Sequence, residues 1–462
     1  MKHFESKTAL FFSLFCSKIL FYNERIVIFV YPKRLYISHM NYTCLFRRFF
    51  LLLLCGAAGF ANAAERNSVI TISGKVIDAA HRRSKPIDGA TVQLSGIDIT
   101  TITNQDGVFL LKVPLYAPFS HIEIKQVGYS NLTVKAEDID LNRQNVFALE
   151  PCAPYAEVPD EEGVESEPVS PEYLIERALV YIGQNYVRES TAKIAFYRES
   201  VKKKREYLSL AEAILDISKA SYSSFSPDLI RLYKARKITG HKEADTLLFK
   251  FESGIPAIMS MDMVKRRDLF FDKANSEWYN YQRVGTTGFD NRRHYIVAFD
   301  QASSLREMLY RGEVYIDAEN YAVTRIKFEL NVEDSPAAAQ LFMRKQPDGA
   351  RIKVTEAAYL VDFRKDENGY SFHSARLDVK YRCKWKGRAI ASTYAVRAEM
   401  IVTNEVDQHL VVRDNMIQIH AGDILIEKIG DFEDAGFWDA YNIIEPDKTI
   451  GEATKKLLKR KR

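Results

Sequence analysis

A period of two constrains this chain more than any other feature. Phe109, Leu111 and Val113 alternate with Val108, Leu110 and Lys112, and similar alternation recurs in segments near 192–220, 228–239, 268–283, 293–300, 311–331, 351–364, 371–385 and 388–403. Successive side chains on a strand point to opposite faces, so these segments read as strands with one buried side. Turn formers join them: Asp106-Gly107, Gly288-Phe-Asp-Asn291, Asp317-Ala-Glu-Asn320, Asp366-Glu-Asn-Gly369 and Lys386-Gly387. Short connections between successive strands imply antiparallel pairing. The expected fold class is mainly β, with an N-terminal Greek-key-like β-sandwich and a C-terminal α+β domain that carries a large curved antiparallel sheet and a few helices. Curvature is expected because strands well beyond the usual five or six residues must twist.

The first 63 residues read as an address. Arg47-Arg48 precede an apolar stretch around Leu51–Leu54 that ends in Gly59-Phe-Ala-Asn-Ala63, the arrangement of a secretory signal peptide at 40–63 with cleavage after Ala63 or Ala64. Residues 1–39 are read as a non-native upstream extension, with translation beginning at Met40. Cys55 raises a lipoprotein alternative, against which Leu54 stands where a small residue is usual. A retained anchor is disfavoured because the apolar run falls short of the ~20 residues that span a bilayer. The expectation is export to the periplasm or the periplasmic face of the outer membrane, with no transmembrane helix in the mature chain.

Residues 1–63 hold eight Lys/Arg and two Asp/Glu, so the whole-chain charge of +4 becomes −2 for the remainder. Basic and acidic residues are interspersed there, and no nucleic-acid partner is implied. Lys202-Lys203-Lys204-Arg205 reads as a solvated strand end or hairpin, and the basic tail 451–462 as a frayed terminus. Outside the leader, Cys152 and Cys383 remain, either bridged or free.

From Pro151 to Pro171, five prolines alternate with acidic residues, the composition of an extended, self-repelling linker (151–171). It separates the sandwich, 69–150, from the sheet domain, 172–450. Gly74-Lys-Val-Ile-Asp78, Pro86-Ile-Asp-Gly-Ala-Thr-Val92, Thr103-Asn104-Gln-Asp106-Gly107-Val-Phe109 and Val127-Gly128-Tyr129 follow one another across the first of these. In order and spacing they resemble the carboxypeptidase-regulatory-like, transthyretin-like sandwich domain of exported Bacteroidota proteins. Calcium ligation by Asn104 and Asp106 is the alternative to turn chemistry there, but the six or more oxygens of a calcium site are not supplied. Beyond the linker, Ser170 and Pro171 start a helix with an apolar stripe of Leu174, Ile175, Ala178, Leu179, Ile182 and Tyr186, and segments 254–266 and 335–345 also look helical. The strand pattern of the sheet domain is similar to that of LolA-like periplasmic lipoprotein carriers.

Peptidase chemistry is missing from the sequence. None of the nine histidines opens a His-x-x-Glu pair, His420-Ala-Gly-Asp423 coming nearest, and there is no His-Glu-x-x-His, Gly-x-Ser-x-Gly or Gly-x-x-x-x-Gly-Lys-[Ser/Thr]. No catalytic, metal or cofactor-binding residue is therefore named, no cofactor is expected, and the binding residues are unknown. Trp278, Tyr279, Tyr281, Tyr359, Tyr370, Phe372 and Trp385 either line an apolar ligand site or pack as cross-strand pairs, while Phe437-Trp438, Tyr441 and Ile443-Ile444 are expected to staple the C-terminal segment to the sheet. The functional expectation is a non-enzymatic cell-envelope protein, with the sandwich as adaptor and the sheet binding a partner protein or an apolar ligand, in association with the outer membrane. An unrecognised envelope hydrolase and an accessory of outer-membrane transport are the alternatives.

Overall fold

The computed structural model describes residues 15–22, 25–32, 69–115, 117–152, 169–204, 206–239, 254–267, 277–302, 309–332, 335–342, 349–406, 416–423, 425–429, 438 and 441–461. These belong to two units, Met1–Asn67 and Ser68–Arg462. In the first, β1 (Phe15–Tyr22) pairs antiparallel with β2 (Arg25–Pro32). The expected signal peptide and residues 153–168 of the expected linker lie outside the described residues.

The second unit begins with a β-sandwich. β3 (Val69–Asp78) lies between antiparallel β6 (Val108–Pro114) and parallel β9 (Asn145–Leu149). The facing sheet runs β5 (Thr100–Ile102), β4 (Thr91–Leu94), β7 (His121–Lys125), β8 (Leu132–Lys135). Alternation places Phe109, Leu111 and Val113 in the core with Ile72, Val76, Val92 and Ile124, and Phe109 stacks on Phe147 at 5.9 Å. Asn104 Oδ1 accepts the backbone N–H groups of Asp106 and Val108, and Gly107 turns the chain at φ 74°. Turn chemistry therefore occupies the oxygen considered for calcium.

The mainly β class is confirmed by the remainder of this unit. Ser170 Oγ accepts the N–H of Tyr173 at 3.2 Å, opening α1 (Pro171–Val180) and then α2 (Ile182–Asn185), so the single expected helix breaks at Tyr181. There follow β10 (Thr191–Lys203), β11 (Glu206–Lys219), β12 (Leu229–Thr239), α3 (Gly254–Ser260), α4 (Met263–Arg266), β13 (Tyr279–Phe289), β14 (Arg292–Gln301), β15 (Tyr310–Asp317) and β16 (Val323–Leu330). Next come α5 (Ser335–Phe342), β17 (Ala350–Asp366), β18 (Gly369–Trp385), β19 (Ser392–Val406), β20 (Ile417–Gln418), α6 (Leu425–Lys428) and α7 (Lys448–Lys461). One eleven-stranded antiparallel sheet results, in the order β13-β14-β15-β16-β17-β18-β19-β10-β11-β12-β20. Register shifts interrupt many of its ladders, and bulges of this kind increase local twist.

One face of this sheet is covered by helices: Tyr197, Ala213, Val314, Ile326, Val361 and Leu377 join Leu174, Ile255, Ile258, Val264 and Ala338 in a continuous apolar core. The other face carries the sandwich. Asp88 pairs with Arg376 at 2.9 Å, Asp98 pairs with Arg364, and Lys125 and Asn131 both hold Asp290 at the β13–β14 turn. Between sandwich and sheet runs a C-terminal strap. Thr101 Oγ1 donates to the Ile443 carbonyl, Asn104 Nδ2 to that of Glu445, and Asn442 exchanges two hydrogen bonds with the Lys112 backbone.

The basic tail needs correction. It is not frayed but forms α7, where Ile450, Ala453 and Leu457 recur at helical spacing and pack on Tyr207, Leu210 and Ile238. Cys152 and Cys383 are both free.

Candidate functional site

Strand register sorts the sandwich face into rows of side chains. One row crosses ten strands: Gln282, Ala298, Glu313, Lys327 and Leu360 on β13 to β17, then Arg376, Glu399, Arg198, Glu212 and Arg236 on β18, β19, β10, β11 and β12. Directly opposed side chains on a sheet lie about 5 Å apart, so alternating charge along a row is favourable. Here Glu313 faces Lys327, Arg376 faces Glu399, and Arg198 is flanked by Glu399 and Glu212.

The row has a closed half and an open half. In the closed half Arg198 is 2 % exposed and Glu212 1 %. Arg198 meets Glu212 at 2.7 Å and Glu399 at 3.3 Å, donates to the Ile444 carbonyl at 2.7 Å, and Arg236 meets Glu212 at 2.6 Å. Burial pushes the Glu212 carboxyl up, but the Arg198 and Arg236 guanidiniums outweigh it and hold the group below the usual carboxylate range. The strap roofs this half: Trp438 stands edge-on to Phe196 at 5.9 Å and its indole N–H reaches Glu212 at 3.4 Å. The stapling expected of Trp438, Tyr441, Ile443 and Ile444 is thus seen in one apolar cluster with Ile194, Phe196, Ile214 and Ile401, whereas Phe437 lies outside the described residues.

Under the open half lies a cavity of ≈ 930 Å³. Ala298, Ala358 and Leu360 give it an apolar floor; Asp300, Glu313, Glu329 and Asp378 bring carboxylates, and Arg311, Lys327 and Arg376 bring cations. Most of these charges are matched. Arg311 pairs with Glu329 at 2.6 Å, Arg397 with Asp378 at 2.6 Å, and the Tyr315 hydroxyl donates to Glu313 at 2.9 Å. Burial, reinforced by Glu313, pushes the Tyr315 phenol up to about 12, so it stays a donor. Exposed Lys327 has no side-chain hydrogen bond or ion pair among the described residues. Leu360 and Arg376 also border a second cavity of ≈ 140 Å³ beneath Asp88, Gly89 and Gln126 of the sandwich.

The aromatic residues singled out from the sequence mostly do not line this space. Tyr279, Tyr370 and Phe372 are buried in the helix-face core, Trp385 packs against it, and Tyr359 stacks on Phe328 at 4.7 Å. Tyr281 and Tyr359 alone among them border the cavity. Trp278 is 39 % exposed. The motif residues of the sandwich instead serve docking: Asp106 Oδ2 accepts the Lys448 N–H at 2.8 Å, and the Gly128 N–H donates to the Gly288 carbonyl at 2.8 Å. In the His420–Asp423 segment, the Asp423 carboxylate accepts the backbone N–H of His420 and pairs with Lys428 at 3.0 Å. The charged row is not legible in the sequence, because directly opposed members such as Arg198 and Glu399 are about two hundred positions apart. A local signal is present in it, with charges at every second residue such as Arg325, Lys327 and Glu329.

No family model matches the chain, and no curated protein matches it. Among solved structures, it is similar to a LolA superfamily protein from Nitrosomonas europaea, 9 % identical over 54 % of this chain and 99 % of that one, with a TM-score of 0.18. It is also similar to a DUF1329 family protein from Desulfovibrio piger, 11 % identical over 54 % of this chain and 96 % of that one, at 0.21. A third similarity is to a structure titled for lipid–protein interactions in lipovitellin, 9 % identical over 51 % and 27 % of the respective chains, at 0.23. Similarity this low carries no argument about the chemistry of this chain.

Proposed function

We propose that this chain is an exported, non-enzymatic binding protein of the cell envelope, in which the sandwich is the adaptor module and the sheet beside it holds an amphipathic ligand. The observation that supports this reading is the ≈ 930 Å³ cavity, a volume suited to a small molecule. Its floor of Ala298, Ala358 and Leu360 suits an apolar body, while Lys327 and the carboxylates around it suit a charged or zwitterionic head. A wholly apolar ligand beneath the helices is less well supported, because the described residues of that face are packed against one another.

Titration of the purified chain with dodecylphosphocholine below its micelle-forming concentration, followed by native mass spectrometry, is expected to give one saturable adduct. Lys327→Glu adds a carboxylate beside Glu313 and removes the unpaired cation; loss of one charge-assisted contact should weaken the adduct roughly tenfold. A wild-type chain that takes up no adduct, or a variant that binds as well as wild type, would refute the reading.

A further inference from the structure

Farther along β17 and β18, on the same face, the alternation of charge stops. Arg351 sits directly opposite Lys384, and Lys353 directly opposite Arg382. All four are exposed. Like charges placed opposite each other on a sheet destabilise it, and elsewhere this face sets acids against bases, as at Arg325–Asp362 and Asp378–Arg397. Edge protection does not account for Arg382, which lies between Lys353 of β17 and Thr393 of β19, although β17 itself has no strand on its other side at Arg351 and Lys353 among the described residues. None of the four, nor Lys386 in the following turn, has a side-chain partner among the described residues.

Two further features extend the patch. In register beyond Arg382 comes Thr393, whose carbonyl accepts the N–H of exposed Lys204, so Lys204 joins the patch across the sheet. The β18–β19 turn continues through Lys386 and Arg388 to Ile390, an isoleucine 80 % exposed. An apolar tip ringed by cations is the arrangement by which a protein inserts one side chain among lipid headgroups while its charges meet phosphates.

We propose that this end of β17 and β18, with the 386–390 turn, docks on an anionic phospholipid surface. The charge complementarity selects a negatively charged partner, and the exposed Ile390 selects a lipid surface over a soluble polyanion. The site is separate from the cavity, and neither proposal requires the other.

Sedimentation of the full chain with phosphatidylcholine vesicles, with and without phosphatidylglycerol, tests the proposal. Binding is expected only with phosphatidylglycerol and should fall as salt is raised. Each cation near such a surface contributes about fivefold in affinity, so Lys353→Gln with Arg382→Gln should weaken binding roughly 25-fold. This pair removes a like-charge contact, so the fold should survive it, which a thermal melt verifies. Ile390→Ser, which leaves the charge unchanged, should weaken binding about tenfold or more. Equal binding to both vesicle types, unchanged binding of the double variant, or indifference to Ile390→Ser would each overturn it.

Discussion

Burial makes the ionisation of Glu199 unfavourable in this fold. The residue lies on the helix face of β10 between Ala211 and Ala398, where neither neighbour offers a charge. The Tyr197 hydroxyl donates to its Oε2 at 2.8 Å, and Gly254 at the start of α3 approaches so closely that a Cβ there would come within 2.8 Å of the same oxygen. Burial pushes the carboxyl from 4.5 up to about 7, the Tyr197 hydrogen bond offsetting this only in part. A carboxyl with a raised folded-state value keeps its proton in the native state while the unfolded chain releases it. The stability it contributes is therefore complete below about pH 4.5, declines as pH rises, and is lost by about pH 7. The interval between those values corresponds to about 3 kcal/mol. Glu199→Gln keeps an acceptor for Tyr197 and removes the charge. Urea unfolding of both proteins, in steps from about pH 4 to about pH 8, should show the variant gaining on wild type by about 3 kcal/mol and then levelling off. A stability difference that stays constant with pH, or that changes in favour of wild type as pH rises, would refute the reasoning.

Arg198→Met leaves Glu212 buried with Arg236 as its remaining ionic partner and is expected to cost about 3–5 kcal/mol in chemical denaturation; a cost below about 1 kcal/mol would mean that the network adds little. Gly107→Ala sets a Cβ 2.5 Å from the Val76 carbonyl oxygen at φ +74°, whereas Gly96→Ala has similar φ (+71°) and open space. The first should lower the melting temperature clearly more than the second, whose cost is about 1–2 kcal/mol.

Much of the local structure could be read directly from residues close together in the chain. Ser170 and Pro171 announce the start of α1, Asp106-Gly107 the turn before β6, and the alternation around Phe109 its buried side. Each depends on groups within a few positions, whose geometry is fixed by backbone sterics and hydrogen bonds at short range. The α7 helix was legible in the spacing of Ile450, Ala453 and Leu457, but the surrounding lysines obscured it. For the aromatics of β13, β17 and β18 local pattern allows both lining and packing, and in the fold packing takes most of them.

The candidate sites were of another kind. Arg376 opposes Glu399, which opposes Arg198, because β10 enters the sheet beside β19, a pairing of strands some two hundred residues apart. A shift of one residue in any of these registers would send the same side chains to the helix face. Arg351 and Lys384, likewise, become a like-charge pair only through the β17–β18 register. Local pattern makes plain that the chain is mainly β, where it turns and which side chains alternate. Which strands are neighbours, where the sandwich sits and which charges face one another emerge with the folded chain, because pairing is settled by distant contacts that no local pattern encodes.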